Sequence, residues 1–463
     1  SAQSFSNRIL ERNGKLGSDA CEILLHAIQA VDAYDCVFRK IILDGNHVHI
    51  DNHRIDLENF DRIFIIGFGK AAVPMAKALL DKLGGKIHQA CVVTKDPKYI
   101  KDNGYKNRLS VYLGGHPIPS EASMQSTQKI LQSLPNLTIK DLVLVVISGG
   151  GSALFTEPIH GVRLNDLQYL THILLNCGAN INEINTLRKH LDLVKGGRLA
   201  IRLQPAVVQA LILSDVIGDH LDMIASGPTV PDPTTFQDAL NILERYHIKS
   251  EVPLSILRSL EDGRAGIIPE TLKPSRISAI HVSHHLVGSN FLAADAARGQ
   301  AQRLGYCAEI VSTTKTDRTD ILADYLNGIL QSRLSNWGDN DQPVCLIFGG
   351  EPTVNVRGNG VGGRNMDLAL RMVSRLAGNS GVLFISYASD GEDGPTDAAG
   401  AAADGYLFNE SKYEYGLDIQ AYVENSDSYH CFEQLGGLIK TGTTGTNVND
   451  QMLILIDEHI ARN

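Results

Sequence analysis

The feature that most restricts this chain is a recurring unit: a short, continuously apolar run that stops at a glycine turn and is followed by helical periodicity. Arg62-Ile-Phe-Ile-Ile66 leads into Gly67-Phe-Gly-Lys-Ala-Ala72 and then a helix-like pattern through Leu80. Strand, glycine turn, helix is the building block of α/β folds. Further strands are predicted at 90–94, 109–113, 142–147, 207–213, 279–282, 308–311, 344–348, 382–386 and 452–456. Helices are predicted at 121–134, 182–201, 290–304 and 364–376, and over much of the opening 34 residues. Runs apolar at every position, rather than alternating, belong to sheets covered on both faces. A chain of 463 residues exceeds one ordinary core. The expected class is therefore α/β, built as two Rossmann-like three-layer domains. The Pro- and charge-bearing stretch 260–278 sets the predicted break, giving domains 1–275 and 276–463.

A formal charge of -10 and the absence of any run of Lys and Arg argue against nucleic-acid binding, which needs a clustered basic surface. Small anions remain open as ligands. The seven cysteines stand singly with no CxxC pair, which fits a reducing compartment and leaves neither a disulfide framework nor a zinc knuckle. Cys91 and Cys345 fall inside strand-like runs and are read as core. No basic segment precedes an apolar one at the N-terminus, and no run approaches the roughly 20 apolar residues of a membrane span. A cytoplasmic enzyme without a membrane partner is expected.

Several glycine-rich turns carry candidate chemistry. In Gly67-Phe-Gly-Lys-Ala-Ala72 the G-x-G-x-x-A spacing suits a pyrophosphate at a helix start, and Lys70 adds a point charge at the loop mouth. The acidic ribose partner of a nicotinamide site is not evident some 20 residues on. Ser148-Gly149-Gly150-Gly151-Ser152 follows an apolar strand and lets backbone N–H groups converge on an anion. Asp215 closes another strand, where ligands of open α/β sheets bind. The densest stretch, 348–365, holds Glu351, Arg357 and Arg364 among Gly358, Gly360, Gly362 and Gly363. Arg364 opens a helical pattern and is placed to meet an oxyanion. Asp390, Glu392, Asp393 and Asp397 lie within eight positions and offer oxygens for Mg²⁺; a solvated acidic turn explains them equally. Lys440 to Asp450 forms a Thr/Gly/Asn turn before the last strand, suited to a polar ligand. His116 and the pair His284-His285 lack spaced partners and are read as turn or core histidines.

Taken in order, GFGKAA, ISGGGSAL, NTLRKHLDLVKGGRLA, LSDVIGD, ASGPTVPD, FGGEPTVNVRGNGVGGRN, SDGEDGPTDAAGA and TGTTGTNVND resemble the MOFRL-containing glycerate kinases over positions 67 to 450. The resemblance implies an active-site cleft between two Rossmann-like domains and ATP-dependent phosphorylation of D-glycerate, usually giving 2-phosphoglycerate. A homodimer is compatible with it. By position it carries catalytic roles onto Lys70, Asp215, Glu351 and Arg364. Phe68 departs from the small residue expected in the first turn.

Phosphoryl transfer asks mainly for positioning and charge neutralisation. On this reading Lys70 and Arg364 balance phosphoryl charge, and Asp215 receives or orients the attacking hydroxyl. Glu351 holds Lys70 or Arg364, or binds nucleotide. Backbone donors come from Gly149, Gly150, Gly151 and Ser152 and from Gly360, Gly362 and Gly363. Mg²⁺, with Asp390 and Asp393 as its expected ligands, bridges the phosphates of ATP. Arg364→Ala is expected to cut turnover with little effect on the fold. The rival is an NAD(P)H-dependent hydroxypyruvate reductase, which GFGKAA fits as well but Lys70 and the missing ribose acid do not.

Overall fold

The computed structural model of the chain describes residues 5, 7–101, 105, 108–338, 341–457 and 459. The chain forms two compact units: residues 33–287, and residues 1–32 together with 288–463. Residues 1–4 and 6 of the helical N-terminal prediction lie outside the described residues.

Residues 33–287 begin with a small antiparallel sheet of β1 (Ile41–Asp44), β2 (His47–Ile50) and β3 (His53–Asp56). Then come β4 (Arg62–Phe68), β5 (Gln89–Thr94), β6 (Ser110–Leu113), β7 (Asp141–Ile147), β8 (Val207–Leu213) and β9 (Val282–Gly288). These six form one sheet in the order β6-β5-β4-β7-β8-β9. Its strands run parallel from β6 through β8. This is the doubly wound Rossmann order. The chain steps outward from β4 to β6, then crosses back to place β7 on the other side of β4, so the loops after β4 and β7 flank the switch point. Every residue of β7 is buried, as continuous apolar runs require. Phe68, which breaks the small-residue expectation, stacks on Phe155 with ring centroids 4.3 Å apart. Beside the sheet, helices Leu164–Asn176, Ile181–His190, Phe236–Arg245 and Leu254–Arg264 bury their own apolar cluster around Leu170, Leu187, Phe236, Leu240 and Leu260. The predicted helix 182–201 is thus two, Ile181–His190 and Arg198–Arg202, parted by Gly196 and Gly197 with positive φ.

The other unit holds β10 (Cys307–Lys315), β11 (Val344–Gly350), β12 (Val382–Ala388), β13 (Gly400–Asp404), β14 (Leu438–Ile439) and β15 (Asp450–Ile456), in the order β10-β11-β15-β12-β13-β14. The α/β class holds here too, but the sheet is mixed. Only β10 and β11 pair in parallel, and β15 enters antiparallel between β11 and β12. Its register sets Asp450 opposite both Gly350 and Ala388, at the carboxyl ends of both neighbours. β13 was not predicted, because Gly-Ala-Ala-Ala-Asp lacks β-branched residues and gains its strand form from pairing with β12.

The predicted break at 275 and the assignment of the N-terminus both change. Helix Gly14–Ala30 buries Leu16, Ala20, Ile23, Leu24 and Ala27 in the cluster that includes Ala294, Ala297 and Ala301 of helix Asn290–Arg303. The Tyr306 hydroxyl donates to Asp19 at 2.8 Å, and Arg12 pairs with Asp404 and Glu410. The first 32 residues therefore belong with the C-terminal part of the chain. The stretch 260–278 is no linker: Thr271 donates to Asp232 at 3.0 Å, and the Leu272 N–H donates to the Gly196 carbonyl at 2.9 Å. The last strand of this unit is β9, three residues later than predicted, because Pro274–Ala279 forms a 3-10 turn.

Cys91 and Cys345 are core, and burial pushes the Cys345 thiol up to about 12. Among the described residues no helix is long and apolar enough to cross a membrane.

Candidate active site

In residues 33–287 the candidates gather at the switch point. β4 ends at Phe68 and β7 at Ile147, and the two loops that follow are laced together. The Lys70 N–H donates to the Gly149 carbonyl at 2.9 Å, and the Ala71 N–H to Ser148 Oγ at 3.0 Å. Gly150 takes the left-handed conformation at φ 81° that turns the chain into the short helix Gly151–Leu154. The N–H groups of Gly149 and Gly150 have no acceptor among the described residues. Converging unpaired N–H groups form an anion-binding concavity. The Lys70 ammonium has no hydrogen-bond or ion-pair partner among the described residues, so its charge is available to a ligand.

Asp215 follows β8 by two residues and lies against Gly149, where a Cβ would overlap its carboxylate. Glycine at 149 is thus required by the close approach of a carboxylate. Ser152 Oγ lies 2.8 Å from Ser226 Oγ, which in turn donates to Asn185 Oδ1 at 3.1 Å. Ala225 and Ser226 both hold positive φ, a conformation that costs a non-glycine residue energy and recurs at functional loops. His116 stands over Gly150 beside the Lys70 side chain. Burial first, then Lys70 and Lys95, pull its imidazole down to about 4, so it is neutral at physiological pH. From the sequence His116 reads as a turn or core histidine. Nothing in its spacing announces Lys70, because the two meet through the sheet order. His284 and His285 are structural: His285 bridges Asp51 (2.9 Å) and Gln209 (2.8 Å), and His284 meets Thr229.

In the other unit Glu351 and Arg364 come together as expected. Arg364 Nη1 donates to Glu351 Oε1 at 2.9 Å, and its Nε donates to Asp450 Oδ2 at 2.5 Å. Asp450 is fully buried, and burial pushes its carboxyl up to about 7 against the pull of Arg364. Burial lowers the Arg364 pKa, but Asp450 and Glu351 more than offset this, so its guanidinium stays charged. Asp450 closed a motif in the sequence but received no role there; its antiparallel register puts it behind Arg364. This changes the expectation that Arg364→Ala spares the fold, since removing one partner strands a buried carboxylate. Asn290 donates to the carbonyls of Val448 (2.8 Å) and Asp450 (2.9 Å), while its own buried Oδ1 has no partner among the described residues.

Asp393, one of the two expected Mg²⁺ ligands, is engaged at a helix start. Its two oxygens accept the N–H groups of Asn365 (3.1 Å) and Met366 (2.8 Å), capping helix Arg364–Leu376. Burial pushes this carboxyl up to about 6. Asp390 accepts from the Glu392 N–H at 3.1 Å in a turn. Among the described residues no group of three or more His, Cys, Asp or Glu side chains is arranged to hold a metal ion. Part of the glycine loop before Arg364 is engaged internally. The N–H groups of Asn359, Gly360 and Val361 donate to Asn425 Oδ1, the Asn425 carbonyl and Asp427. Gly360, Gly362 and Gly363 are glycines because a Cβ would strike Asp427, Ser428 and Asp393 respectively.

The six-stranded sheet with its two glycine turns at the switch point defines a doubly wound α/β protein. Residues 344–450 match the MOFRL family, and residues 19–261 match a domain of unknown function, DUF4147. The chain belongs to the MOFRL-containing glycerate kinase family. It is 43% identical to the D-glycerate 2-kinase of Thermotoga maritima, over 86% of this chain and 91% of that one. It is 38% identical to the glycerate 2-kinase of Pyrococcus horikoshii, over 93% and 95%. A crystal structure of glycerate kinase from Thermotoga maritima superposes with a TM-score of 0.83 at 40% identity, covering 95% of this chain and 99% of that chain.

Proposed function

We propose that this protein is an ATP-dependent kinase that phosphorylates D-glycerate at the 2-hydroxyl. The observation that carries the reading is the switch-point constellation. The Asp215 carboxylate lies against Gly149, the Lys70 and His116 side chains lie against Gly150, and the N–H groups of both glycines have no acceptor among the described residues. Cation and amides suit the phosphoryl oxygens, while Asp215 is the acceptor that orients the attacking hydroxyl and takes its proton. Neutral His116 adds a hydrogen-bonding group without a second positive charge. In the other unit, Glu351 and Arg364 pair an acceptor with a forked cation, groups that suit the hydroxyl and carboxylate of a hydroxy acid. Mg²⁺ would supply charge neutralisation to the nucleotide phosphates, and Asp390, which keeps one oxygen without a partner among the described residues, would be a residue to hold it.

The relatives named above are kinases over nearly the full chain, which favours transfer over hydride chemistry and sets the reductase aside. The test is incubation of the purified protein with D-glycerate, ATP and Mg²⁺, followed by phosphorus NMR. A 2-phosphoglycerate signal is expected; 3-phosphoglycerate would overturn the regiochemistry, and no phosphoglycerate would overturn the kinase reading.

A further inference from the structure

Residues 33–287 contain a cavity of about 430 Å³ between the Gly151–Leu154 turn and helices Leu164–Asn176 and Ile181–His190. Its volume is in the range of about 300–1,000 Å³ typical of ligand cavities. Leu170, Leu174, Ile184 and Leu187 give it apolar walls. Two cations, Arg188 and Lys195, also line it, and Lys195 is paired with Asp192. Arg188 lines the cavity, and among the described residues its guanidinium has no hydrogen-bond or ion-pair partner. Asp192 on the same wall is already committed, accepting from Lys195 at 2.6 Å and from Thr156 at 2.5 Å. A half-buried guanidinium left unpaired in an apolar wall is costly, and burial pulls its pKa below the ordinary value with no carboxylate to counter it. An anion from outside would offset that cost.

The cavity lies next in sequence to the glycine turn. Ser152 and Ala153 line it directly after Gly149, Gly150 and Gly151, and Pro117, which follows His116, forms part of its rim. D-glycerate does not suit this space, being polar at every carbon and far smaller than the cavity. A ligand that fills apolar walls and brings negative charge to Arg188 has a planar or apolar body joined to phosphates. We propose that the cavity takes the base and sugar of the purine nucleotide, with Arg188 pairing to a phosphate that leads on to Gly149 and Gly150. The inference rests on the kinase reading for the nucleotide's identity, but its test does not depend on turnover.

The experiment is calorimetric titration of ADP into the full chain and two variants, Arg188→Met and Thr171→Trp. The first removes the charge and keeps the stem; the second puts an indole into the cavity from a lining position. Circular dichroism checks that each is folded. A lost charge-assisted contact is worth roughly 1.5–3 kcal/mol, so ADP affinity should fall about 10- to 100-fold in Arg188→Met. Arg188→Lys should recover part of it, and Thr171→Trp should weaken ADP at least as much. In steady-state assays the KM for ATP should rise while that for D-glycerate is unchanged. ADP binding at wild-type affinity in both variants, or none in the wild type, would overturn the proposal. Wild-type ADP binding that both substitutions abolish, in a protein that forms no phosphoglycerate, would uphold the cavity and sink the kinase reading alone.

Discussion

Arg364 lies across Asp450 in a two-pronged pair, with Nε 2.5 Å from Oδ2 and Nη2 3.2 Å from Oδ1. Asp450 is fully buried, whereas Arg364 keeps a third of its side chain exposed. The carboxylate therefore holds the fork in place while Nη1 points to Glu351. Breaking a buried pair from one side costs about 3–5 kcal/mol. Arg364→Ala should unfold at lower urea, and Arg364→Ala/Asp450→Asn should recover much of the loss without recovering turnover. Equal stability of the single variant and the wild type would show that Asp450 does not depend on this partner.

Lys70 presents the opposite case. With no partner among the described residues, its ammonium contributes little to folding. Lys70→Met should leave the melting temperature within about 2 °C, since surface substitutions rarely exceed about 0.5 kcal/mol. Turnover should fall about 10²- to 10³-fold, the usual loss for one preorganised oxyanion partner. Retained turnover would remove Lys70 from the phosphate site.

Asp215 and Gly149 share one space. Asp215→Asn should lower turnover about 10²- to 10⁴-fold, as expected when a positioned base is lost, with nucleotide affinity kept. Gly149→Ala should do similar damage by displacing the carboxylate. Should Gly149→Ala turn over normally, the contact carries no weight in catalysis.

His116 sets a pH dependence of stability. Its folded value is about 4 against an ordinary 6.5. Between these the unfolded chain binds more protons, so stability rises with pH through this window and is lost as pH falls from 6.5 toward 4. Replacing His116 with Gln removes that contribution. Urea midpoints measured at pH 7 and pH 5 should lie closer together in the variant than in the wild type; an unchanged gap would mean that His116 is not held neutral.

Much of this was legible in the sequence because it is local. Apolar runs such as 142–147 and glycine turns such as 149–151 announce strand and loop from their own residues, and β7 and its loop formed where predicted. Lys70, Asp215, Glu351 and Arg364 could be singled out as candidates because each sits near a strand end or helix start that the periodicity marks. What was not legible concerns partners remote in sequence. Asp393 sits in an acidic turn that looks ready for a metal, yet its oxygens face the N–H groups of a helix that begins 29 residues earlier. The glycines at 360, 362 and 363 look like an anion loop, yet they pack against Asp427, Ser428 and Asp393.

The sequence alone determined the α/β class, the positions of the phosphate-type turns and the family, because these depend on periodicity, turn chemistry and ordered motifs that the chain carries in itself. Only the tertiary structure decided that the first 32 residues join the C-terminal unit, that β15 runs antiparallel between β11 and β12, and that Asp450 backs Arg364 while His116 meets Lys70. Strand order and direction are set by which apolar faces bury one another across long separations. The sequence records those faces but not their pairing, and charge partners such as Arg364 and Asp450 are fixed only once the sheet has closed.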